Sequence, residues 1–169
     1  MDADELRAIQ APLKERYRGD AKAGLVTLKA NGALDSATIA CKVETGRVLA
    51  VAGLHPATGG SGAELCSGDM LLEALVACAG VTLKAVATSM GIALRSGKVA
   101  AEGDLDFRGT LGVDKQAPVG FTDIRLRFEL DTDASQDQLE TLLKLTERYC
   151  VVLQTLRRSP RTGAKLVRA

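Results

Sequence analysis

The segment from Met70 to Met90, MLLEALVACAGVTLKAVATSM, constrains the fold more than any other part of the chain. Its only charged residues are Glu73 and Lys84. As a helix it is apolar almost all the way round, which is typical of a fully buried helix. Small residues give it a surface that a second backbone could approach closely: Ala74, Ala77, Gly80 and Ala87. The rest of the chain is short of elements to cover every face, and a second copy in a homodimer would supply one.

The overall composition excludes several classes of partner. The 169 residues carry a net charge of +1, with 46% hydrophobic and 25% charged residues, as in an ordinary single globular domain. Near-neutrality gives no argument for nucleic acid as a partner. The first residues, MDADELRAIQ, lack the apolar core of a signal peptide, and the segment 70–90 is judged too short and too polar to span a bilayer. We therefore expect a cytoplasmic protein without a nucleic-acid or membrane partner.

Before the apolar segment, the sequence predicts a polar helix followed by strands. Residues 1–24 form an N-terminal polar helical extension, with a helix over 4–18 interrupted at Pro12, and residues 25–169 form a single domain. Alternating apolar residues predict strands over 25–30, 38–43 and 47–53, with turns at NGALDS and ETGR. A loop over 55–69 leads into the apolar helix, where Ser67 or Asp69 can cap the helix, and Gly91 ends it.

After Gly91 the pattern changes from strand to helix. The segments KVAAEGDLDFRG and FTDIRLRFELD are predicted strands, and the second is half-solvated, with Ile124, Leu126, Phe128 and Leu130 facing inward. Ser135 and Gln138 make a capping-box pattern that opens a helix with an apolar stripe at Leu139, Leu142, Leu143 and Leu145 or Thr146. CVVLQTLRR continues this helix or starts a further helix, and RTGAKLVRA predicts a closing strand. The order of elements predicts an α+β fold.

The cysteines and the single histidine limit the chemistry that the chain can perform. Four cysteines, at positions 41, 66, 78 and 150, are too few and too scattered for a disulfide framework. No C-x-x-C is present, and no pair among His55, Cys66, Asp69 and Cys78 has metal-site spacing, so we expect neither a metal nor another cofactor. A cysteine hydrolase is disfavoured as well, because no histidine is evident as a partner for the thiol.

Two of the cysteines lie in settings that leave their roles open. Cys78 lies inside the apolar helix, where a thiol is ordinarily inert, and Cys150 lies at the end of an amphipathic helix. A reactive Cys78 needs a cation or hydrogen-bond donors to hold the thiolate. Asp69 lies about 13.5 Å away along the same helix, and Arg148 accompanies Cys150. Arg18 and Arg47 are other candidate cations, and the residues alone decide neither the cation nor whether the thiols react.

Two segments carry a resemblance to a known family. CSGDMLLEALVACAGVTL resembles the signature helix of the OsmC/Ohr family, named for osmotically inducible protein C and for organic hydroperoxide resistance. ERYCVVLQTL is similar to the second cysteine motif of that family, and the likeness spans about residues 25–168. The resemblance implies an OsmC-like fold in which antiparallel sheets wrap around long central helices of an intertwined homodimer, with active sites at the subunit interface.

The same resemblance implies a thiol-dependent peroxidase. Cys78 would attack an organic hydroperoxide or hydrogen peroxide, and Cys150 would resolve the oxidised sulfur as a disulfide that an external dithiol reduces. Asp69 and Arg148 would be the supporting residues. The alternative, from another functional class, is a non-enzymatic OsmC-fold protein that binds a small ligand between the subunits.

Overall fold

The chain folds into strands and helices in the mixed order that the sequence predicts. A computed structural model describes residues 2–5, 7–8, 10–11, 31–34, 40–44, 49–112 and 114–168. Its elements are β1 Asn31–Leu34, β2 Ala40–Glu44, β3 Leu49–Gly53, β4 Leu65–Cys66, α1 Ser67–Ser89, β5 Ser96–Leu105, α2 Phe107–Thr110, β6 Phe121–Asp131, α3 Gln136–Tyr149 and α4 Val151–Arg157. This arrangement confirms the α+β class.

The described strands form two separate sheets. One has the order β1-β2-β3-β4, antiparallel except for the short parallel pair β3–β4, and the other is the antiparallel pair β5–β6. Strands β2 and β3 confirm two of the predicted strands. The turn predicted at NGALDS is wrong for Asn31–Leu34, because these residues pair with the segment from Cys41 to Glu44 as strand β1. The predicted strand over 25–30 lies outside the described residues.

Helix α1 begins without the side-chain cap that the sequence suggested. Its N-cap residue is Cys66, whose side chain makes no capping hydrogen bond. The prediction that Ser67 or Asp69 caps the helix is therefore wrong, because the helix starts early enough to include both residues, and Asp69 lies in the first turn. Its carboxylate is still favourably placed near the positive end of the helix dipole.

The other end of α1 confirms the prediction for Gly91. This glycine adopts a left-handed backbone with φ of +69°, and its N–H donates to the Thr88 carbonyl at 3.1 Å. The N–H of Ile92 donates to the Ala87 carbonyl at 2.9 Å, which completes a Schellman motif. Ile92 is then buried in the core, so the chain turns sharply toward β5.

In the part of the chain that the structure describes, one face of α1 is covered. The buried residues recur every fourth position, at Leu75, Ala79, Leu83 and Ala87, and this face packs against β5, α3 and α4. On the far side, 73% of Val81 is exposed. The described residues therefore do not bury α1 on every face as the sequence predicts, because β5, α3 and α4 pack on one side of it.

The expectation that this segment is too short and too polar to cross a membrane is wrong for helix α1. It has 23 residues and a mean hydropathy of 1.8, which suffice by length and composition to cross a bilayer, and 22% of its apolar window is buried. Glu73 and Lys84 are too few to lower its hydropathy below that of a spanning helix. Core helices of globular proteins are equally apolar. The hydropathy of α1 therefore indicates that its exposed side is suited to an apolar contact, and it does not distinguish a protein contact from a lipid contact.

The core lies between α1, the β5–β6 sheet and α3. One cluster contains Leu83, Ala87, Ile92 and Leu142, and the second contains Leu75, Ala79 and Cys150. Strand β6 turns Ile124, Leu126 and Phe128 toward these clusters while its alternate residues are exposed. This alternation confirms the predicted half-solvated strand.

The C-terminal third agrees with the sequence analysis up to its last segment. The capping box at α3 is confirmed, with Ser135 accepting from the Gln138 N–H at 3.3 Å and the Gln138 side chain accepting from the Ser135 N–H at 2.9 Å. Helix α4 confirms the further helix. In the predicted apolar stripe, however, 44% of Leu143 is exposed.

The predicted closing strand is not found, whereas the described part of the N-terminal helix is. Residues 159–168 form no strand, because no described strand lies beside them, and 97% of Leu166 is exposed. At the other end, residues 3–5, 7–8 and 10–11 are helical, as predicted for the start of the polar helix. The remainder of the predicted helix, including Pro12, lies outside the described residues.

Replacement of Thr146 by valine tests the packing of α3 against α1. Thr146 is 1% exposed, and its hydroxyl has no hydrogen-bond partner in the described part of the chain. Because valine has the same shape without the buried polar atom, we expect Thr146→Val to raise the free energy of unfolding by about 1 kcal/mol. Urea unfolding at fixed protein concentration measures this change as a higher midpoint with an unchanged slope.

The matched control for this prediction is Thr88→Val. The Thr88 hydroxyl donates to the Lys84 carbonyl at 2.8 Å, so its removal offers no comparable gain. A Thr146→Val protein that unfolds at the same urea concentration as the wild type, or at a lower one, contradicts the assignment of an unsatisfied buried hydroxyl.

Candidate functional site

The fold brings Cys78 and Cys150 together although they lie far apart in the sequence. Cys78 is partly buried on α1, and Cys150 is fully buried at the junction of α3 and α4. Both belong to the core cluster built around Leu75 and Ala79. Both sulfurs are free thiols. The site is thus a pair of neighbouring thiols in an apolar wall.

The break between α3 and α4 places backbone donors next to this pair. Cys150 has an extended backbone, with φ of −70° and ψ of 106°, so it ends one helix and starts the next. Its N–H still donates to the Thr146 carbonyl at 2.9 Å, and its carbonyl accepts from the Gln154 N–H at 2.9 Å. The amides of Val151 and Val152 are in the first turn of α4, where no preceding carbonyl of that helix can accept from them.

These donors give Cys78 an unusual acidity. Burial raises the pKa of the Cys78 thiol, but hydrogen bonding to the backbone N–H of Val152, the Cys150 thiol, the backbone N–H of Val151 and the Thr82 hydroxyl outweighs it. The net pKa of Cys78 lies below its ordinary value of 9.0. All of the groups responsible are uncharged. The site therefore favours a thiolate at Cys78 by neutral hydrogen bonding.

Cys150 is shifted in the opposite direction. Burial has the largest effect and raises the pKa of the Cys150 thiol; the backbone N–H of Leu153 lowers it, the neighbouring Cys78 raises it, and the backbone N–H of Val152 lowers it least. Cys78 therefore ionises first, and burial together with the negative charge on the Cys78 sulfur favours a protonated Cys150. The arrangement provides one nucleophilic sulfur with a protonated thiol beside it.

The structure leaves the two predicted supporting residues apart from the thiols. Asp69 is exposed in the first turn of α1, more than two helical turns before Cys78. Arg148 is exposed, and its guanidinium lies 5.8 Å from the centre of the Tyr149 ring. Neither side chain is among the groups that shift the Cys78 pKa. Their supporting roles stay predictions, and Arg18 and Arg47 lie outside the described residues.

The other residues singled out from the sequence have local roles or none. The imidazole of His55 stacks on Phe107 with the ring centres 4.8 Å apart, and its Nδ1 accepts from the Ala57 N–H at 3.0 Å. Cys66 is a free, partly exposed thiol at the start of α1. In the described ranges no three histidine, cysteine or acidic residues form a group that could hold a metal ion.

An open groove lies along α1. Its volume is about 620 Å³, and its lining combines apolar and polar side chains: Gln10, Val81, Thr82, Ala85, Val86, Ser89, Met90, Leu145 and Tyr149. Thr82, one helical turn after Cys78, lines the groove and is also among the groups that lower the Cys78 pKa. Neither Cys78 nor Cys150 lines the groove, so Thr82 is the residue that connects it to the surroundings of Cys78.

Two features of this site were not predicted from the sequence. The first is Thr82, although its spacing of four residues from Cys78 on a helix places the two side chains on one face. The second is the pair of amides at Val151 and Val152. These amides lack an acceptor within α4 because the helix breaks at Cys150, and the sequence left open whether the helix continues there.

The acidity of Cys78 can be measured by alkylation with iodoacetamide. The thiolate is the reacting form, so the rate rises as the pH passes upward through the pKa, and a lowered pKa moves this rise below pH 9.0. We expect Cys78 to reach its maximal rate at a lower pH in the folded protein than in protein unfolded by urea, and Cys150 to react slowest in the folded protein because it is buried. Mass spectrometry of the labelled peptides separates the cysteines.

Protein unfolded in urea provides the control, since the hydrogen bonds that lower the Cys78 pKa are lost there. A Cys78 pH profile that is the same in the folded and the unfolded protein contradicts the proposed acidity.

Comparison with known proteins places this geometry in a family. The family model described as OsmC-like protein matches residues 60–165, which include both cysteines and the helices that carry them. No curated protein shows a significant match to the sequence. The family is therefore identified from its sequence model, and solved structures provide the comparison of folds.

Several solved structures share the fold at low sequence identity. An OsmC-like protein from Mycoplasma pneumoniae superposes with a TM-score of 0.65 and 16% identity, over 79% of this chain and 89% of that one. An organic hydroperoxide resistance protein OsmC from Legionella pneumophila gives 0.62 and 18%, over 80% and 92% of the two chains. An organic hydroperoxide resistance protein from Elizabethkingia anophelis gives 0.62 and 15%, over 80% and 91%. With more than half of its length matched by the family model, the chain belongs to the OsmC-like protein family.

Proposed function

We propose that the protein is a thiol-dependent peroxidase that reduces hydroperoxides through Cys78 and Cys150. The observation that carries this proposal is the pairing of a thiol of lowered pKa with a buried, protonated thiol. Family membership supports the same reading, since structural relatives are named organic hydroperoxide resistance proteins. A purely structural cysteine pair has no need of hydrogen-bond donors directed at one of its sulfurs.

In the first step, the Cys78 thiolate attacks the terminal oxygen of the hydroperoxide. A sulfur–oxygen bond forms as the oxygen–oxygen bond breaks, so Cys78 is oxidised to a sulfenic acid and the peroxide is reduced to an alkoxide. The alkoxide takes up a proton from solvent and leaves as an alcohol, or as water when the substrate is hydrogen peroxide. The donors around Cys78 favour this step because they lower the pKa of its thiol and so increase the fraction of thiolate at a given pH.

In the second step, Cys150 resolves the sulfenic acid. Its sulfur attacks the Cys78 sulfur, a disulfide forms, and hydroxide leaves with the proton of Cys150 as water. An external dithiol then reduces the disulfide and becomes a disulfide itself. Loss of the thiolate charge in the first step removes one of the influences that raise the Cys150 pKa, while burial, the largest, remains, so oxidation of Cys78 makes Cys150 easier to ionise.

The apolar groove favours a lipophilic substrate. Its largely apolar lining, which Thr82 connects to the surroundings of Cys78, suits the hydrocarbon part of a small organic hydroperoxide better than a freely hydrated molecule. Hydrogen peroxide is the second substrate within this proposal. We place the reaction in the cytoplasm, where dithiol reductants keep such a pair reduced.

We further propose that the working form is a homodimer in which two copies of α1 pack together. The uncovered side of α1 carries small and apolar residues, and the exposed fractions of Leu71 and Val81 are 37% and 73%. Alanines on this face permit close contact between two helices. The groove that Val81 and Thr82 line opens on the same side of α1, so a partner there would also form one of its walls.

A peroxide-consumption assay tests the proposed chemistry. The substrate is tert-butyl hydroperoxide and the reductant is dihydrolipoamide or dithiothreitol. We expect the turnover of Cys78→Ser to be at least about a hundredfold lower than that of the wild type, because no other sulfur replaces the nucleophile. Cys150→Ser should consume one peroxide per Cys78 and then turn over slowly. Cys66→Ser is the matched control and should retain the wild-type rate.

Equal consumption by the wild type and Cys78→Ser contradicts the peroxidase proposal. In that case, saturable binding of the same hydroperoxide, or of its alcohol, to the unreactive Cys78→Ser protein would favour the ligand-binding alternative. The two measurements use the same protein and the same groove.

Charge insertion on α1 tests the dimer. Val81→Glu places a carboxylate on the apolar face, where dimerisation would bury it, so we expect a dimeric wild type and a monomeric or unfolded variant. Sedimentation velocity measures the mass. Val119→Glu is the control, because 74% of Val119 is exposed, as much as of Val81, in the loop before β6. Equal masses for Val81→Glu and the wild type contradict the proposed interface.

A further inference from the structure

The break between α3 and α4 at Cys150 has no local cause in the sequence. The ψ angle of Cys150 is 106°, far from the helical value of about −42°, so α4 leaves the axis of α3 at this residue. The surrounding segment, ERYCVVLQ, contains neither proline nor glycine, the residues that most often interrupt a helix. Contacts between the two helices and with the core must therefore hold the break.

Gln154 makes a hydrogen bond that replaces the one lost at the break. In a continuous helix the Glu147 carbonyl would accept from the N–H of Val151, four residues later, and no such bond joins them in the described part of the chain. The Gln154 side chain donates to this carbonyl instead, from Nε2 at 2.7 Å. Its backbone N–H donates to the Cys150 carbonyl at 2.9 Å. Gln154 therefore bonds both to the last turn of α3 and to the junction.

A second side chain of α4 bonds to the same residue of α3. The Arg157 guanidinium donates to both carboxylate oxygens of Glu147, at 3.0 and 3.2 Å. The Arg157 side chain is 49% exposed and that of Glu147 38%, and ion pairs in such contact with water add little stability. The bond from Gln154 is partly buried, so it is the stronger of the two connections between α4 and Glu147.

The core cluster around Cys150 shows how the position of α4 affects the thiols. Leu153 and Leu156 of α4 pack against this cluster, and so does Cys78 from α1. Gln154 follows Leu153 directly, but its side chain bonds to α3. The leucines thus hold α4 against the core, while Gln154 fixes its angle to α3. Any change in that angle moves Cys150, whose carbonyl is bonded to α4.

We infer that Gln154 is a positioning residue for the thiol pair: its bond to the Glu147 carbonyl holds α4 at the angle that keeps Cys150 beside Cys78. This inference rests on the proposed function, because the two thiols that it positions are the ones proposed to form the disulfide. Gln154 acts through the placement of Cys150 and takes no part in the chemistry of either sulfur.

The disulfide equilibrium in glutathione buffers tests this role without peroxide. Oxidised glutathione takes two electrons from the thiols, so the disulfide between Cys78 and Cys150 forms as two molecules of reduced glutathione are released. Gln154→Met keeps the length of the side chain and removes the donor. We expect the equilibrium constant for the disulfide to fall about threefold to tenfold, the effect of one lost hydrogen bond. Mass spectrometry of the linked peptides after acid quenching measures the disulfide.

Two variants control for other effects of the substitution. Gln154→Lys keeps an N–H donor on a side chain of similar reach and should recover most of the wild-type equilibrium constant. Gln136→Met removes a side-chain hydrogen bond elsewhere on α3, from Gln136 to Glu140 at 3.0 Å, and should leave the constant unchanged. If Gln154→Met does not fold, as judged by circular dichroism, Gln154→Leu replaces it in the comparison.

The inference is overturned by a wild-type constant in Gln154→Met, or by equal constants in Gln154→Met and Gln154→Lys. A lower urea midpoint with an unchanged constant also overturns it, because Gln154 would then serve stability alone. A wild type that forms no such disulfide contradicts the inference together with the proposed resolving step. The equilibrium needs no peroxide turnover, so a protein without peroxidase activity can still confirm the role of Gln154. An active peroxidase with an unchanged constant would disprove that role alone.

Discussion

The close packing of the alanine-bearing face of α1 against α3 and the β5–β6 sheet is the constraint on which the rest of the structure depends. Leu75 and Leu83 fill the core, while Ala79 and Ala87 between them let neighbouring elements approach the helix. This approach puts the end of α3 against the middle of α1, which brings a thiol from each into one cluster. Larger residues at the two alanine positions would separate the helices and with them the sulfurs.

Sequence reasoning succeeded where a local pattern determines the structure. The alternation in β6, the capping box at Ser135 and the glycine after α1 each depend on a few neighbouring residues, and each was found as predicted. It failed where the outcome depends on distant partners. Asn31–Leu34 is a strand because another strand pairs with it, and residues 159–168 form none because no described strand lies beside them. The juxtaposition of Cys78 and Cys150 was expected from the family resemblance and not from the residues alone.

The electrostatic part of the site differs most from the sequence-based expectation. That expectation named Asp69 and Arg148, because charged residues that could activate a thiol can be recognised directly in a sequence. In the described structure the acidity of Cys78 comes from amides and hydroxyl or thiol groups, which any sequence contains in abundance. What gives these groups their effect is the break in the helix at Cys150, and this break follows from tertiary packing.

The position of Cys150 at that break has a consequence for the chain entropy of the protein. A bond between its sulfur and Cys78 would link the middle of α1 to the α3–α4 junction and close a covalent loop around β5, β6 and α3. Closing a loop of this length lowers the entropy of the unfolded chain enough to stabilise the fold by about 4 kcal/mol. The oxidised and reduced forms would then differ in how readily they unfold. The redox state of the two sulfurs would thus change the stability of the whole core as well as the reactivity of the site.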